Sequence, residues 1–147
     1  MALAVVLRPA DDAQLDSLRA IVREAGLPTE GLEQHFPGAY VVATAGSSLL
    51  GVAGLEVHGS DGLLRSVAVR QTFRGEGVGR TLVLDRVDHA RSRGLRRVYL
   101  LTTTAARYFA RLGFRPAERA SAPEALAGSK EFASICPQTA ACLVWRP

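Results

Sequence analysis

The stretch Arg74-Gly75-Glu76-Gly77-Val78-Gly79-Arg80 is the part of this 147-residue chain best suited to chemistry. Three glycines at a spacing of two follow an apolar run, Leu63-Leu64-Arg65-Ser66-Val67-Ala68-Val69, and a helical pattern follows them. A strand, a glycine loop and a helix N-terminus, in that order, make a site for phosphate. Glycines remove side chains, so the backbone can close around a ligand. The free N–H groups of the first helical turn point at it, and the helix dipole favours an anion. Arg74 and Arg80 can add charge-assisted bonds to phosphate oxygens. An ordinary tight turn is the alternative for the glycines, and a solvated side chain is the alternative for Arg80.

Glu56 is the second candidate. It stands on a strand between Leu55 and Val57, and alternation puts it on the opposite face from them. There it could accept a proton, directly or through water. An outward-facing strand glutamate is the alternative. His58 would share its face, most simply as an exposed imidazole. Arg65, on the adjacent strand, could grip a substrate carboxylate bidentately or pair across the strands with Glu56. His35, His58 and His89 show no metal spacing, so no metal site is expected. Cys136 and Cys142 lack CxxC spacing, and no nearby histidine marks Cys136 as a nucleophile. Two free thiols point to a reducing, cytoplasmic location.

Residues 65–119 hold 13 of the 18 basic residues and four of the 14 acidic ones, within a net charge of +4. Such a block could attract an anionic cofactor or a nucleic acid. Its few aromatic residues, Phe73, Tyr99, Tyr108, Phe109 and Phe114, form no regular interleaving that would stack bases, which favours the cofactor and argues against nucleic acid. No apolar run reaches the ~20 residues of a membrane span. The opening Ala2–Leu7 lacks the flanks of a signal peptide. The length suits one domain over residues 1–147.

These residues must be held by strands and helices. A first strand reads over 3–8. Asp11 and Gln14 resemble a capping box for a helix carrying Leu15, Leu18, Ile21, Val22 and Ala25, which Gly26 ends. A short helix reads over 28–36. Strands over 39–45, 49–58 and 63–70 form a meander with turns at Gly46-Ser47-Ser48 and Gly59-Ser60-Asp61-Gly62. A helix over roughly 77–93 follows the loop, and a strand over 97–102 follows Gly94. Thr103 or Thr104 can cap a helix over 105–112, ended by Gly113. Strands over 114–118 and 139–146 close the pattern, with a loop and a helical turn over 120–130. The order β-α-α-β-β-β-α-β-α-β-β predicts an α/β fold, a mixed and mostly antiparallel central sheet of about seven strands with helices on both faces.

The run Leu64–Val69 followed by Arg74-Gly75-Glu76-Gly77-Val78-Gly79 resembles motif A of the GNAT superfamily of acetyl-CoA-dependent N-acetyltransferases. That motif is Gln/Arg-x-x-Gly-x-Gly/Ala after the fourth strand, and Arg74, Gly77 and Gly79 match it. The segment Ala105–Phe114 resembles the next signature, a short helix ending in Leu-Gly-Phe. Leu7-Arg8-Pro9-Ala10 is similar to the first strand of the fold. The resemblance covers about residues 5–118. More narrowly, Leu27-Pro28-Thr29, Gly54-Leu55-Glu56, Tyr99–Thr104 and Glu131–Pro137 resemble the arsenic-resistance-associated subgroup, itself similar to amino-acid N-acetyltransferases.

The resemblance implies a GNAT fold and acetyl-CoA as cofactor. Pyrophosphate would lie on Arg74, Gly75, Glu76, Gly77, Val78, Gly79 and Arg80. The pantetheine arm would pair with Val67, Ala68 and Val69, with the Val67 N–H as oxyanion donor. Thr104, Phe109 and Arg111 would complete the cofactor site. Glu56 would take the proton of an attacking amine, and Arg65, Ser66, Thr102, Thr103 and Ser134 would line the acceptor side. Many family members protonate the CoA thiolate with a tyrosine where this chain has Phe109. Tyr108 is one residue earlier, about 100° around the helix. The implied acceptor is a small amino-acid-like amine, with an arsenic compound in a detoxification setting as one case. A protein or antibiotic amine, or a non-catalytic acyl-CoA-binding module, are the other readings. A homodimer through the apolar Ala140–Trp145 edge is the implied assembly.

Overall fold

The computed structural model describes residues 4–137 and 139–147, the side chain of Ser134 apart. Its strands are β1 (Val6–Pro9), β2 (Tyr40–Ala45), β3 (Ser48–His58), β4 (Asp61–Val69), β5 (Arg97–Thr102), β6 (Arg115–Pro116) and β7 (Ala141–Trp145). Its helices are α1 (Leu15–Glu24), α2 (Val78–Ser92), α3 (Ala106–Arg111) and α4 (Glu124–Ala127). The seven strands hydrogen-bond in the order β1-β2-β3-β4-β5-β7-β6. The pairings β1–β2, β2–β3, β5–β7 and β6–β7 are antiparallel, and β4–β5 is parallel. The α/β mixed sheet predicted from the sequence is therefore the observed one.

Most boundaries fall within two residues of the sequence pattern, and several of the differences have local causes. The first strand begins at Val6 rather than at residue 3, which lies outside the described residues. Residues 28–36 carry only a tight turn over Leu32–His35, because Gly31 before it is left-handed at φ 77°. Strand β4 begins at Asp61, not at residue 63, because Asp61 opens the parallel ladder opposite Arg97 and forms an ion pair with it at 2.9 Å. The strand expected over 114–118 shrinks to Arg115–Pro116, although the Ala117 N–H still donates to Cys142 O at 2.9 Å. The capping box forms: Asp11 Oδ1 accepts from the Ala13 N–H, and Gln14 Oε1 accepts from the Asp11 N–H.

The chain divides into two compact units, Met1–Gly54 with Ser66–Arg86, and Leu55–Arg65 with Val87–Pro147. In the first, alternation along β2 sends Tyr40 and Val42 to a core with Leu18, Ile21 and Val22 of α1. Val41 and Ala43 face the other way, to a core with Val78 and Leu82 of α2. Ala43 pairs with Gly51 and Thr44 with Leu49, so Leu50 is an extra residue in β3, a bulge that resets the alternation. Gly51 has no room for a side chain, because a Cβ there would lie 2.7 Å from the Ala68 carbonyl oxygen.

In the second unit, Leu63, Tyr99, Cys142 and Val144 of β4, β5 and β7 pack with Leu126 and Phe132. Helices α2 and α3 both end the same way. Gly94 and Gly113 are left-handed and donate to Arg91 O and Ala110 O. Leu95 and Phe114 then donate back to Ala90 O and Phe109 O, and both side chains are buried. This is the physical content of the Leu-Gly-Phe signature: the glycine turns the chain so that the next apolar residue drops into the core. Strand β7 is not the expected edge. It is flanked by β5 and β6, whose ladders use both of its sides. Among the described residues, no helix is long and apolar enough to cross a membrane.

Candidate functional site

The glycine loop lies in the first unit. Gly75 and Gly77 have φ of 82° and 81°, and a Cβ on either would meet nothing within 4 Å. The backbone is thus in a conformation that other residues resist, with open space over it. Helix α2 starts at Val78, whose side chain is buried in the core that includes Leu82. Thr81 closes the first turn: its N–H donates to Gly77 O at 3.1 Å, and its hydroxyl to the same oxygen at 3.0 Å. By helix geometry the amides before Thr81 are the unpaired donors of the first turn. Arg74 Nε donates to Val69 O at 2.9 Å, so this side chain braces the loop against the end of β4. Glu76 and Arg80 are exposed, and Gly79 is half-buried in the first turn.

Upstream, Val67 and Val69 are half-buried and Ala68 is buried, all three packed as core. Ser66 has φ of 56°, alone among the described non-glycine residues in being left-handed. The peptide that follows it carries the Val67 N–H, so this kink re-aims the amide implied as oxyanion donor. Nothing in the residue type announces it, since serine has no special preference for that region.

The second unit holds a buried charged cluster. Glu56 is 4% exposed. Its Oε2 accepts from Arg65 Nη1 at 3.1 Å, and its Oε1 lies 2.8 Å from His58 Nε2. A carboxylate only accepts, so that contact requires the proton on Nε2. The cross-strand alternative for Arg65 is the one realised. His58 shares the face of Glu56 as expected, but it is partly buried rather than exposed. A second acidic residue completes the group: Glu131 Oε1 lies 3.7 Å from Arg65 Nε. Glu131 is 6% exposed, and burial pushes its carboxyl up to about 7, partly offset by the Arg65 charge. Sequence reasoning named Glu131 only within a family-like segment. Its position beside Arg65 is a tertiary contact with no local signal.

Neither Thr103 nor Thr104 caps α3, whose N-cap is Ala105 without a side-chain bond; Thr102 instead closes the turn before it. Its hydroxyl accepts from the N–H groups of Thr104 and Ala105 at 3.4 and 3.0 Å. Thr103, Thr104 and Arg111 are exposed. Phe109 is buried edge-on against Phe114, with ring centroids 5.8 Å apart, and so packs as core. The side chain of Ser134 lies outside the described residues. Burial pushes the Cys136 thiol up to about 11, which makes it a poor nucleophile.

Residues 9–114 match the model of the Acetyltransferase (GNAT) family, and the chain belongs to that family. It is similar in structure to N-acetylglutamate synthase from Neisseria gonorrhoeae complexed with coenzyme A and L-arginine, at TM-score 0.81 and 25% identity. That match covers 99% of this chain and 34% of the synthase, so this chain spans about a third of it. Rv2747 from Mycobacterium tuberculosis, solved with CoA, shares the fold at TM-score 0.82 and 24% identity, covering 97% of this chain and 99% of that one. The S18-alanine N-acetyltransferase of Escherichia coli shares it at TM-score 0.73 and 18% identity, over 97% of this chain and 93% of the other.

Proposed function

We propose that this protein acetylates the amine of a small amino acid or amino-acid-like molecule, by direct transfer from acetyl-CoA. The observation that carries the reading is the buried Glu56 carboxylate, held by Arg65 and His58 on β3 and β4. A carboxylate kept out of water is an effective acceptor for the proton of an attacking amine. Likeness to a synthase of an N-acetylated amino acid supports the acceptor class.

In the reaction the neutral amine nitrogen attacks the thioester carbon, and an N–C bond forms. The C–S bond breaks, and its electron pair leaves with sulfur as CoA thiolate. The amine proton passes to Glu56, directly or through water. The Val67 N–H steadies the oxyanion, and the amides after Gly75 hold the pyrophosphate. Because Phe109 has no proton to give, the thiolate collects its own from solvent. An amino-acid-like arsenical belongs to the same acceptor class: acetylation would remove the charge of its amine and disarm the mimic.

The test is thiol release from acetyl-CoA across amino acids, glutamate-like arsenic and phosphorus analogues, polyamines and aminoglycosides. Turnover on an amino-acid-like amine is expected. Turnover confined to polyamines or aminoglycosides overturns the acceptor class. Silence across the panel with acetyl-CoA bound favours a protein acceptor or a binding module.

A further inference from the structure

Arg119 sits in a tight turn, Arg119–Ser121, outside every motif of the sequence. Its guanidinium donates to four backbone carbonyls of one segment. Nη2 reaches Phe132 O at 2.6 Å, Cys136 O at 3.2 Å and Glu131 O at 3.4 Å, and Nη1 reaches Pro137 O at 2.6 Å. The same group stacks over the Phe132 ring, 5.6 Å from its centroid. At the other end of the segment, the buried Ser129 hydroxyl accepts from the Phe132 N–H, and Ser129 O from the Ala133 N–H. One cation thus ties down the helical turn Glu131–Ile135 and fixes where the Glu131 side chain emerges. It emerges at Arg65, whose guanidinium Glu56 already engages through a different nitrogen.

We propose that Glu131 is a positioning residue for acetyl transfer: it shares the Arg65 guanidinium with Glu56, sets how firmly Arg65 holds the Glu56 carboxylate, and is kept in place by Arg119. This rests on the reading of Glu56 as proton acceptor. Two carboxylates face one guanidinium where side-chain exposure is 5%, 7% and 1% for Glu56, Glu131 and Arg65. While Glu131 keeps its proton, the whole Arg65 charge falls on Glu56 and holds it as a weakly basic carboxylate. When Glu131 ionises, Arg65 is divided between two anions. The second negative charge then strengthens the hold of Glu56 on a proton. Glu131 titrates at about 7, so the division happens in the neutral range. The groups facing Glu131 are Arg65 from β4, Glu56 from β3, Arg119 from its turn and the Cys136 thiol of its own segment. His58 faces Glu56.

The test needs neither acceptor nor acetyl-CoA, so its failure is separable from failure of the transferase reading. Protein carrying 13C at the glutamate side-chain carboxyls is titrated by NMR as wild type, Glu56→Gln, Arg119→Lys and Arg119→Gln. Circular dichroism confirms that each is folded. In wild type Glu131 is expected to titrate at about 7. In Glu56→Gln the whole Arg65 charge falls to Glu131, which is expected to titrate at lower pH than in wild type. Arg119→Gln is expected to move Glu131 upward, and Arg119→Lys to leave it closer to wild type. A Glu131 midpoint identical in wild type and Glu56→Gln overturns the proposal, as does one indifferent to Arg119→Gln. If Arg119→Gln does not fold, the comparison of wild type with Glu56→Gln decides alone.

Discussion

Replacing Glu131 by glutamine should stabilise the free protein, and by more as pH rises. The carboxyl is buried and titrates at about 7 in the folded chain, against 4.5 for the unfolded residue. Burial is the largest cause, with the Arg65 charge opposing it. The unfolded state therefore gives up its proton first. Between the two values it binds fewer protons than the native state, and stability falls as pH rises. Below 4.5 the penalty is absent, and above about 7 it is complete. Glutamine keeps the shape and has no charge to desolvate. The difference between the two values, taken through linkage, gives a stabilisation of about 1 kcal/mol at pH 5, about 2 at pH 6 and about 3 at pH 8. In melting temperature that is roughly 2–4 °C at pH 5 and roughly 6–12 °C at pH 8 for a chain of this size. Urea unfolding of both proteins at those three pH values measures it. A stability difference that does not change with pH, or one that shrinks from pH 5 to pH 8, refutes a buried, reluctantly ionised Glu131.

The other expectations concern separate parts of the molecule. Glu56→Gln should lower kcat about 10²-fold or more while leaving acetyl-CoA affinity within a factor of two, by kinetics and calorimetry. Gly77→Asp should weaken acetyl-CoA binding at least tenfold in calorimetry. It forces a side chain into a left-handed position at about 1–2 kcal/mol and puts a negative charge where phosphate is to sit. Gly51→Ala should cost about 1–3 kcal/mol in urea unfolding, because its Cβ meets the Ala68 carbonyl at 2.7 Å and backbone must move. Arg65→Ala should cost about 3–5 kcal/mol, because two buried carboxyls lose their cation, and the loss should be smaller at pH 5 than at pH 8.

What the sequence revealed was whatever two neighbouring residues can encode. The period-two apolar pattern gave β2, β3 and β4, the Asp11–Gln14 pair gave the helix entry, and glycines marked helix ends and the loop before α2. These signals act over three or four residues, so they survive without tertiary context. The cluster around Glu56 was half legible: alternation put Glu56 and His58 on one face, and Arg65 had two partners open to it. The rest depended on contacts between distant residues. Asp61 meets Arg97 across 36 positions. Glu131 reaches Arg65 from 66 residues away (131 less 65), and Arg119 binds carbonyls, which every residue has and which no side-chain pattern can advertise. The left-handed Ser66 was equally hidden, because it is imposed by the sheet on a residue that does not prefer it.

The place of β7 bears on how the chain comes to be folded as it is made. Residues 141–145 leave the ribosome after all six other strands, yet they lie between β5 and β6, which hydrogen-bond to β7 from opposite sides. Until they emerge, the β7-facing edge of β5 and the two residues of β6 stay without this shared partner. The first unit ends at Arg86 and has its strands, both helical cores and the glycine loop available long before that. Synthesis therefore orders the two halves in time: the half bearing the glycine loop can settle early, while the half bearing Glu56, Arg65 and Glu131 stays an open template until β7 slots in. A pause late in translation would hold the chain with an exposed β5 edge, the state most open to pairing with a neighbouring nascent chain.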